Sequence, residues 1–571
     1  MPRAANLCLL LIALGCVYGS ALPFPFIFDD ASTIVSNASL RQLWPPGVAL
    51  APPADTSVTG RPLVNLSFAL NYALAGLDPR GYRLVNLGLH LLNAVLVCSV
   101  LTRLSRRPQV PEAWRSRAEP LSFAVALLWA LHPLQTEAVV YVTQRTELLA
   151  ATFYLAAIYA VLRSLEAEQR HARWSALAAC AAGCGALCKE TVVSVPLIAL
   201  LVDRAFYNAS LWEAVRRRWG MYLGLALASA FLVAEALSRP RGLTAGTDLG
   251  VQPLAYLSVQ GGVIAGYLRL ALWPDALSIS YPWPLLTPHH YWRQDVLIAS
   301  LLLATPIAWR VRPWLGLAGG FFFAVLAPNS SVIAVLTEPV AERRMYLPLL
   351  SVILLLVVLA VWLQTRLAMN AGRASAVLLV LVALGYGATA LARVQDYRSE
   401  LSIWQDAVAK HPDDPLALWG IAGALDNLGQ HDRAIALYEL IAARPYPHVG
   451  PASWGSRALF AASAIYAASG DQAKAAETLD RALRHDPLSP LGMLQSSVAL
   501  LRVGHYHEAI AKLQLMLGQP LLRDRALCYL GIAYAQLGDR QRARLHLSEA
   551  LRLEPGNAEA RMWLARLSTA P

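Results

Sequence analysis

The chain has 571 residues, of which 56% are hydrophobic and only 15% are charged. Soluble proteins carry about a quarter charged residues, so this composition excludes a single soluble globular domain. The formal net charge of +11 could indicate nucleic-acid binding. Its Arg residues, however, concentrate in short loops beside apolar runs, so we interpret the charge as a determinant of membrane orientation and expect no nucleic-acid partner.

Apolar runs of nearly membrane-spanning length follow one another through the first two-thirds of the chain. A spanning helix needs about 20 mainly apolar residues, and several runs are shorter, so neighbouring helices must shield their ends. About eleven crossings are predicted, over residues 6–23, 83–102, 120–133, 137–162, 174–188, 190–203, 219–237, 295–311, 314–328, 346–365 and 374–393. The predicted fold class is therefore all-α, with a polytopic transmembrane helical bundle over residues 1–394.

The first of these runs, at residues 6–23, could instead be a signal peptide. It lacks a small-x-small cleavage site followed by polar sequence, so we predict an uncleaved membrane helix.

The distribution of Arg predicts the orientation of the bundle. With the N-terminus in the cytoplasm, the Arg-bearing loops at residues 103–117, 163–173, 204–218, 310–312 and 366–373 fall on the cytoplasmic side. The opposite side then receives the first loop at residues 24–82, a second segment at 238–294, the turns near 134–136 and Lys189, the loop at 329–345 and the C-terminal domain. Residues 251–273 are apolar but interrupted by glycine, and we predict a re-entrant or interfacial segment there.

The last third, residues 395–571, carries a repeat with a period near 34 residues. Gly429, Gly470, Gly504 and Gly538 are each followed five residues later by Ala, which is typical of tetratricopeptide (TPR) repeats. We predict an α-solenoid of about four repeats with a partial leading one around Trp404. Such arrays present a concave surface for an extended peptide or partner protein; the alternative is a structural cap on the bundle.

Ionisable residues at the non-cytoplasmic ends of membrane helices are the candidate site, because they are costly there. Asp29 and Asp30 follow the first helix and could supply a general base or, alternatively, cap a loop helix. Arg61 lies later in the same loop. Asn86 and His90 continue this pattern as a polar stripe in the second helix, which could equally join helices by hydrogen bonds.

Three further loops on that side carry charge or aromatic hydroxyl groups. The candidates are His132, Glu137, Arg145 and Glu147; Lys189 and Glu190; and Glu342, Arg343 and Tyr346. A buried Arg near a Glu could be a paired charge, or its guanidinium could bind phosphate. The convergence of four loops on one face predicts a site for an anionic lipid-linked substrate.

Other classes of site are absent from the sequence. No P-loop, Rossmann fingerprint, HExxH motif or Gly-x-Ser-x-Gly elbow occurs. Cys180, Cys184 and Cys188 share a helix face and could bind metal, but we interpret them as small residues for helix packing and predict no metal site.

At this point the chain resembles the transmembrane-and-TPR-containing O-mannosyltransferases and their bacterial relatives, which belong to the GT-C glycosyltransferases. The resemblance lies in Phe28-Asp29-Asp30, Arg61-Pro62-Leu63, Asn71-Tyr72, Gly76-Leu77-Asp78-Pro79, Gly81-Tyr82, Asn86, His90, His132-Pro133, Thr136-Glu137-Ala138-Val139, Arg145, Glu147-Leu148-Leu149-Ala150, Lys189-Glu190, Ala341-Glu342-Arg343 and Tyr346-Leu347-Pro348. The order of parts, a membrane bundle followed by repeats, is also similar.

The resemblance implies a function for the loops. Asp29 or Asp30 would deprotonate an acceptor hydroxyl, and Arg145, Lys189 and Arg343 would stabilise the phosphate of a polyprenyl-phosphate-sugar donor. No cofactor is firmly implied, and the membrane partner is this lipid-linked sugar, with an acceptor or partner protein bound by the repeats. The location favoured is a bacterial inner membrane with loop 24–82 and the repeats in the periplasm, or an ER membrane with both in the lumen.

Two other functions stay open from the sequence. The chain could be a non-catalytic membrane-anchored TPR scaffold for envelope or secretory proteins, or it could translocate lipid-linked sugars. A scaffold needs only one anchor helix and would not require so many ionisable residues on one face.

Overall fold

The structure is a computed structural model that describes residues 4–53, 56–167, 169–207, 210–238, 253–282, 290–330, 338–366, 371–446, 453–485, 490–502, 504–518, 522–554 and 556–569. Within these ranges the secondary structure is helical and no β-strand occurs. This confirms the predicted all-α fold class.

The membrane half contains sixteen α-helices in the described residues. Their bounds are α1 Ala4–Tyr18, α2 Pro62–Ala75, α3 Pro79–Ser105, α4 Glu112–Arg115, α5 Ala118–Leu131, α6 Thr136–Val140, α7 Arg145–Glu166, α8 His171–Ala186, α9 Val195–Phe206, α10 Leu211–Arg217, α11 Trp219–Ser238, α12 Pro253–Leu272, α13 Trp292–Val311, α14 Pro313–Leu326, α15 Leu349–Arg366 and α16 Ala371–Asp396. The long helix α3 lies at the centre, where it packs against α1, α5 and α7.

Each predicted crossing overlaps a helix. By length and hydropathy, six helices in the described residues can span a membrane, or eight if two bent pairs count as spans. Shorter apolar helices such as α14 and α11 accompany them. The number of about eleven crossings therefore stays a prediction.

The run predicted as one helix over residues 137–162 is broken, and the break bears on the site. Tyr141, with φ −75° and ψ 110°, ends α6, and a 3-10 turn at Val142–Gln144 leads into α7. The first N–H groups of a helix have no partner within it. The break therefore releases the N–H of Thr143, which donates to Asp30 Oδ1 at 2.8 Å.

Within the predicted segment at residues 251–273, Pro253–Leu272 form one continuous helix, α12, where the glycines had suggested interruption. Two of them instead permit close packing: a Cβ on Gly261 would lie 2.9 Å from the Cα of Asp295 at the start of α13. The C-terminal end of α12 meets the bundle through Ala271, whose carbonyl contacts His132 Nε2 at 3.0 Å. The remainder of the predicted second segment, residues 239–252 and 283–289, lies outside the described residues.

The C-terminal third is a succession of helix pairs, preceded by the single helix α17. The bounds are α17 Glu400–Lys410, α18 Pro415–Asn427, α19 His431–Ala443, α20 Trp454–Ala468, α21 Gln472–His485, α22 Pro490–Arg502, α23 Tyr506–Met516, α24 Arg523–Gln536, α25 Arg540–Leu553 and α26 Ala558–Thr569. The four periodic glycines lie between the helices of a pair with φ from 73° to 87°. That left-handed conformation favours glycine, which explains their period.

The repeats are joined to the bundle without an extended linker. Helix α16 runs past the predicted boundary at residue 395 to Asp396, and α17 begins at Glu400. Arg393 of α16 pairs with Asp406 of α17 at 2.6 Å. Lys410 at the end of α17 donates to the carbonyl of Leu277 at 2.6 Å, after α12. The first repeat helix is thus fixed to the bundle by charged contacts.

Candidate active site

The loop after α1 holds its two carboxylates in a constrained backbone. Phe28 has φ +47°, a conformation that is uncommon for any residue other than glycine and is retained only when its surroundings enforce it. Its ring contacts Trp404 of α17 edge-on, with centroids 5.0 Å apart, and faces Tyr141 at 6.4 Å. The bundle and the repeat array therefore both hold the loop that carries Asp29 and Asp30.

Asp30 is directed into the protein. Its side chain is fully buried, and Oδ1 accepts hydrogen bonds from the backbone N–H and hydroxyl of Thr143 at 2.8 and 2.5 Å. Oδ2 accepts from the N–H of Ile27 at 3.2 Å. Burial raises the pKa of Asp30 to about 6, although these hydrogen bonds act to lower it. Its contacts fasten the loop to the break between α6 and α7.

Asp29 is less buried than Asp30 and remains partly exposed. Its Oδ2 accepts a hydrogen bond from Ser57 Oγ at 2.6 Å, and its N–H donates to Tyr141 OH at 3.1 Å. Burial and then the nearby Glu338 raise the pKa of Asp29, while Ser57 lowers it. A carboxylate with a raised pKa that solvent can reach is suited to accept a proton. Of the two predicted bases, Asp29 has the environment for that role.

Arg343 lies between two carboxylates, and its charge also lowers the pKa of Asp29. Its Nη1 pairs with Glu137 Oε1 at 2.6 Å, its backbone N–H donates to Glu137 Oε2 at 2.9 Å, and its Nη2 pairs with Glu338. Burial lowers the pKa of Arg343, but Glu338 and Glu137 outweigh it and raise the pKa well above the ordinary value. The guanidinium therefore stays charged and oriented near Asp29.

A second group of charges connects to Asp29 through Ser57. Arg61 Nη1 donates to the carbonyl of Ser57 at 2.7 Å, and its Nη2 lies 3.6 Å from Glu190 Oε2. Next to Glu190, Lys189 is buried and forms an ion pair with Glu147. Burial lowers the pKa of Lys189, and Glu147 opposes this. This second group thus contains two positive charges, of Arg61 and Lys189, and two negative charges, of Glu147 and Glu190. It adjoins Asp29 through Ser57.

Arg145 is engaged entirely within the bundle. Its Nε donates to Asn86 Oδ1 at 2.8 Å, and its Nη1 donates to Asn71 Oδ1 at 2.6 Å. Its Nη2 donates to the carbonyl of Tyr82 at 2.8 Å. A guanidinium whose three nitrogens already donate to protein has little capacity for a phosphate. The phosphate role of Arg145 stays a prediction, and its contacts are those of a residue that joins α2, α3 and α7.

The polar stripe of α3 and Tyr346 form a buried network. His90 Nδ1 lies 2.8 Å from Tyr346 OH, and His90 Nε2 lies 3.0 Å from the carbonyl of Ala130. Asn93 donates to the same hydroxyl at 3.0 Å. His132 is also enclosed, between Ala271 and the N–H of Leu134. These contacts join helices around the site, so their substrate-binding role stays a prediction.

Glu342 connects the site to the segment after α12. Its Oε1 accepts from the N–H of Ser278 and from Tyr281 OH, both at 2.5 Å. Its Oε2 is buried without a hydrogen-bond partner among the described residues. Burial raises the pKa of Glu342 to about 7, although Arg393 opposes the shift. Glu342 therefore places residues 277–281 between the site and α17.

Sequence reasoning missed Ser57, Tyr141 and Thr143, the hydroxyl partners of the two aspartates. Their side chains carry no charge, and no spacing pattern distinguishes them. Arg83 of α3 was not among the predicted site residues either. It donates to the carbonyls of Pro25 at 2.6 Å and Val140 at 3.1 Å, so it fixes the start of the aspartate loop.

Metal ligands do not cluster in the part of the chain that the structure describes: no group of three His, Cys, Asp or Glu residues could hold an ion. The three cysteines of the predicted helix face are free thiols.

Comparisons with known proteins add a family context. The tetratricopeptide repeat family matches residues 524–557. Drosophila melanogaster protein O-mannosyl-transferase Tmtc3 is 25% identical over 76% of this chain and 54% of its own length. Drosophila Tmtc2 is 33% identical over 34% of the chain and 21% of its own length, and human TMTC2 is 30% identical over 34% and 23%. The predicted resemblance is confirmed: homologues of this chain are protein O-mannosyl-transferases.

The chain spans about half the length of the first of these relatives and a quarter or less of the others. A crystal structure of ArnT from Cupriavidus metallidurans bound to undecaprenyl phosphate aligns with 95% of this chain and 79% of its own, at 15% identity and a TM-score of 0.31. A likeness at that TM-score supports no functional inference. With the candidate membrane helices, the comparisons identify a multi-pass membrane protein with a TPR array.

Proposed function

We propose that this chain is a membrane glycosyltransferase that transfers a sugar from a polyprenyl-phosphate carrier to a hydroxyl of a polypeptide. The names of its relatives support mannose as the sugar and protein as the acceptor. The observation that carries the proposal is the setting of Asp29: a partly exposed carboxylate with a raised pKa, held by Ser57 and placed beside the charged guanidinium of Arg343.

In the proposed reaction these two side chains act on opposite faces of the anomeric carbon of the transferred sugar. The carboxylate of Asp29 accepts the proton of the acceptor hydroxyl as its oxygen attacks the anomeric carbon. The bond from that carbon to the phosphate oxygen breaks, its electron pair stays on the carrier phosphate, and the configuration inverts. Arg343 stabilises the developing phosphate charge, held ready by Glu137 and Glu338.

Contacts between distant parts of the chain support the sides of the membrane that we propose. Phe28 of the first loop contacts Trp404, and Gln395 Nε2 donates to Ser20 Oγ at 3.2 Å. These contacts favour one compartment for the first loop and the repeats, which requires an odd number of crossings between the N-terminus and the repeats. Eleven crossings fit, with α12 interfacial. The Arg-rich loops favour the cytoplasm for the other side.

The compartment we propose for the site is the periplasm of a bacterial inner membrane or, in a eukaryotic cell, the ER lumen. In either case the sugar is transferred outside the cytosol.

Two cavities could lead an acceptor polypeptide to Asp29. The concave side of the repeats encloses about 1040 Å³, with Trp419, Arg457 and Tyr529 among its lining residues. A second cavity of about 1160 Å³ lies between the first loop and the last repeat, and it reaches Arg61 and Lys189. A polypeptide bound along the repeats would thus approach the group of charges that adjoins Asp29.

The test is Asp29→Asn in the full chain, assayed for sugar transfer from a polyprenyl-phosphate donor in membranes. Loss of a general base lowers rates by about 10²- to 10⁴-fold, and we expect a loss of this size at unchanged expression. Asp78→Asn is the matched control, because Asp78 is an exposed carboxylate near the end of the same loop. Transfer by Asp29→Asn at the wild-type rate would overturn the proposal.

The scaffold function makes a different prediction in the same experiment. If the chain is a scaffold, the Asp29→Asn variant should bind partner proteins through its repeats as the wild type does. The wild type itself should then transfer no sugar from any polyprenyl-phosphate donor.

A further inference from the structure

A long apolar groove runs along the bundle towards the end that is remote from Asp29. It encloses about 640 Å³ between α3, α7, α9, α14 and α15, and its walls include Leu101, Ile158, Val202, Phe321 and Leu354. None of its lining residues is acidic. Because the surrounding helices are membrane helices, an apolar groove here faces lipid rather than water.

The dimensions of the groove match a lipid chain. On α3, the lining begins at Val100, 17 residues after Arg83 at the site, which is roughly 25 Å along a helix. On α15, lining residues extend from Leu350 to Thr365, or roughly 22 Å. One leaflet of the hydrocarbon core is about 15 Å thick. An acyl chain can therefore lie along the groove.

Polar groups occur mainly at the cytoplasmic end of the groove. Trp114, Trp314 and Trp362 line it there together with Arg312, and tryptophan is typical of the membrane–water interface. Trp114 Nε1 donates to Ser105 Oγ at 2.8 Å. Trp314 Nε1, however, is buried with no hydrogen-bond partner in the described residues. An N–H donor and a guanidinium thus lie together at the level of lipid headgroups.

Arg312 brings a positive charge to this end that no ion pair in the described part of the chain offsets. Among the described residues no ion pair involves Arg312, which is exposed. A second guanidinium, that of Arg366, lies over the ring of Trp362 at 5.6 Å from its centroid. Basic residues at this level attract anionic headgroups.

We infer that this groove binds an anionic phospholipid, with an acyl chain along its apolar walls and the phosphate at Arg312 and the Trp314 N–H. The inference is independent of the proposed glycosyltransferase function. It assigns a lipid of the cytoplasmic leaflet to the end of the bundle remote from the reacting groups.

The test uses the purified, delipidated full chain and two probes, phosphatidylglycerol and phosphatidylcholine. We expect phosphatidylglycerol to raise the melting temperature and to remain bound in native mass spectrometry, whereas phosphatidylcholine does neither. Arg312→Gln should weaken phosphatidylglycerol binding about fivefold, the effect of one basic residue at an anionic surface. The control is Arg310→Gln, which removes an exposed Arg outside the groove lining.

A second pair of variants tests the apolar walls of the groove rather than its polar end. Leu355 lines it and Leu356 does not, yet their exposed fractions are 37% and 36%. Leu355→Trp should reduce retained phosphatidylglycerol, and Leu356→Trp should not. Equal responses within either pair, or equal stabilisation by both phospholipids, would overturn the inference. Stabilisation by a polyprenyl phosphate that depends on Arg312, without any by phosphatidylglycerol, would assign the groove to the carrier instead and also overturn it.

Discussion

Asp29 and Asp30 are neighbours with different surroundings, and the difference lies in their burial and hydrogen bonding. Asp30 accepts three hydrogen bonds from main chain and hydroxyl groups in a buried position. Asp29 keeps partial exposure and accepts from Ser57. The residue beside a carboxylate thus determines whether it fixes the loop or is available for proton transfer.

The pH dependence of transfer should report on Asp29. As a base it must be ionised, and its pKa is raised by burial and Glu338, so activity should fall as pH decreases through a value above the ordinary carboxylate range. Ser57→Ala removes a hydrogen bond that lowers this pKa, and the acid limb should move to higher pH. Ser57→Thr should restore it.

The matched control for Ser57→Ala is Ser32→Ala, whose hydroxyl donates to the backbone carbonyl of Asp29 at 3.2 Å and not to its carboxylate. A pH profile that is identical in Ser57→Ala and wild type would show that Ser57 does not act through Asp29.

Arg145 should behave as a stabilising residue. Arg145→Gln would leave buried acceptors on Asn86, Asn71 and Tyr82 without donors, and breaking such a network costs about 3–5 kcal/mol. We expect a large fall in melting temperature, compared with no change for the exposed Arg170→Gln. A variant that is thermally unchanged but has a greatly raised KM for the donor would instead support phosphate binding.

At the scale of elements, the site depends on a helix that belongs to the repeats. Trp404 of α17 is buried, with 1% exposed, and it packs against Phe28. Trp404→Ala should release Phe28 from its left-handed conformation and lower transfer at least about tenfold, with faster hydrogen exchange over residues 27–35. Replacing a buried Trp costs about 3–5 kcal/mol, so the control is Trp563→Ala in α26, which should leave both measurements unchanged.

Helices could be predicted from sequence where apolar length or repeat period determined them. Apolar runs identify α3 and α15, and the glycine period identifies the paired repeats, because burial and positive φ act locally. The break at Tyr141 could not be predicted, since the carboxylate that accepts the N–H released there belongs to Asp30, more than one hundred residues away. The continuity of helix α12 could not be predicted either, because Gly261 allows close packing against Asp295 and does not interrupt the helix.

The candidate site shows the same division. Charge placement predicted that Asp29, Glu137 and Arg343 would converge, because such groups are costly near a membrane unless they have partners. The hydroxyl groups of Ser57 and Tyr141 carry no such cost, so only the folded chain reveals them.

At the scale of the whole molecule, the contact between the first loop and the repeats predicts one shared compartment. Trp44→Cys and Leu515→Cys introduce thiols at positions with exposed fractions of 80% and 74%, and Val311→Cys does so at 71%. An impermeant maleimide should label the first two from the same side of the membrane and the third only from the other. Labelling of Trp44→Cys and Leu515→Cys from opposite sides would contradict both the topology and the proposed acceptor route.

The continuity of α16 into the repeat array has a geometric consequence. Since the Arg393–Asp406 pair and the Lys410 contact fix α17 to the bundle, the first repeat helix holds a set position relative to the loop that carries Asp29. A polypeptide gripped along the array would present only those hydroxyls that lie a set number of residues from the gripped stretch. Acceptor hydroxyls would then be selected by their distance along the polypeptide from the bound stretch, more than by the sequence around them.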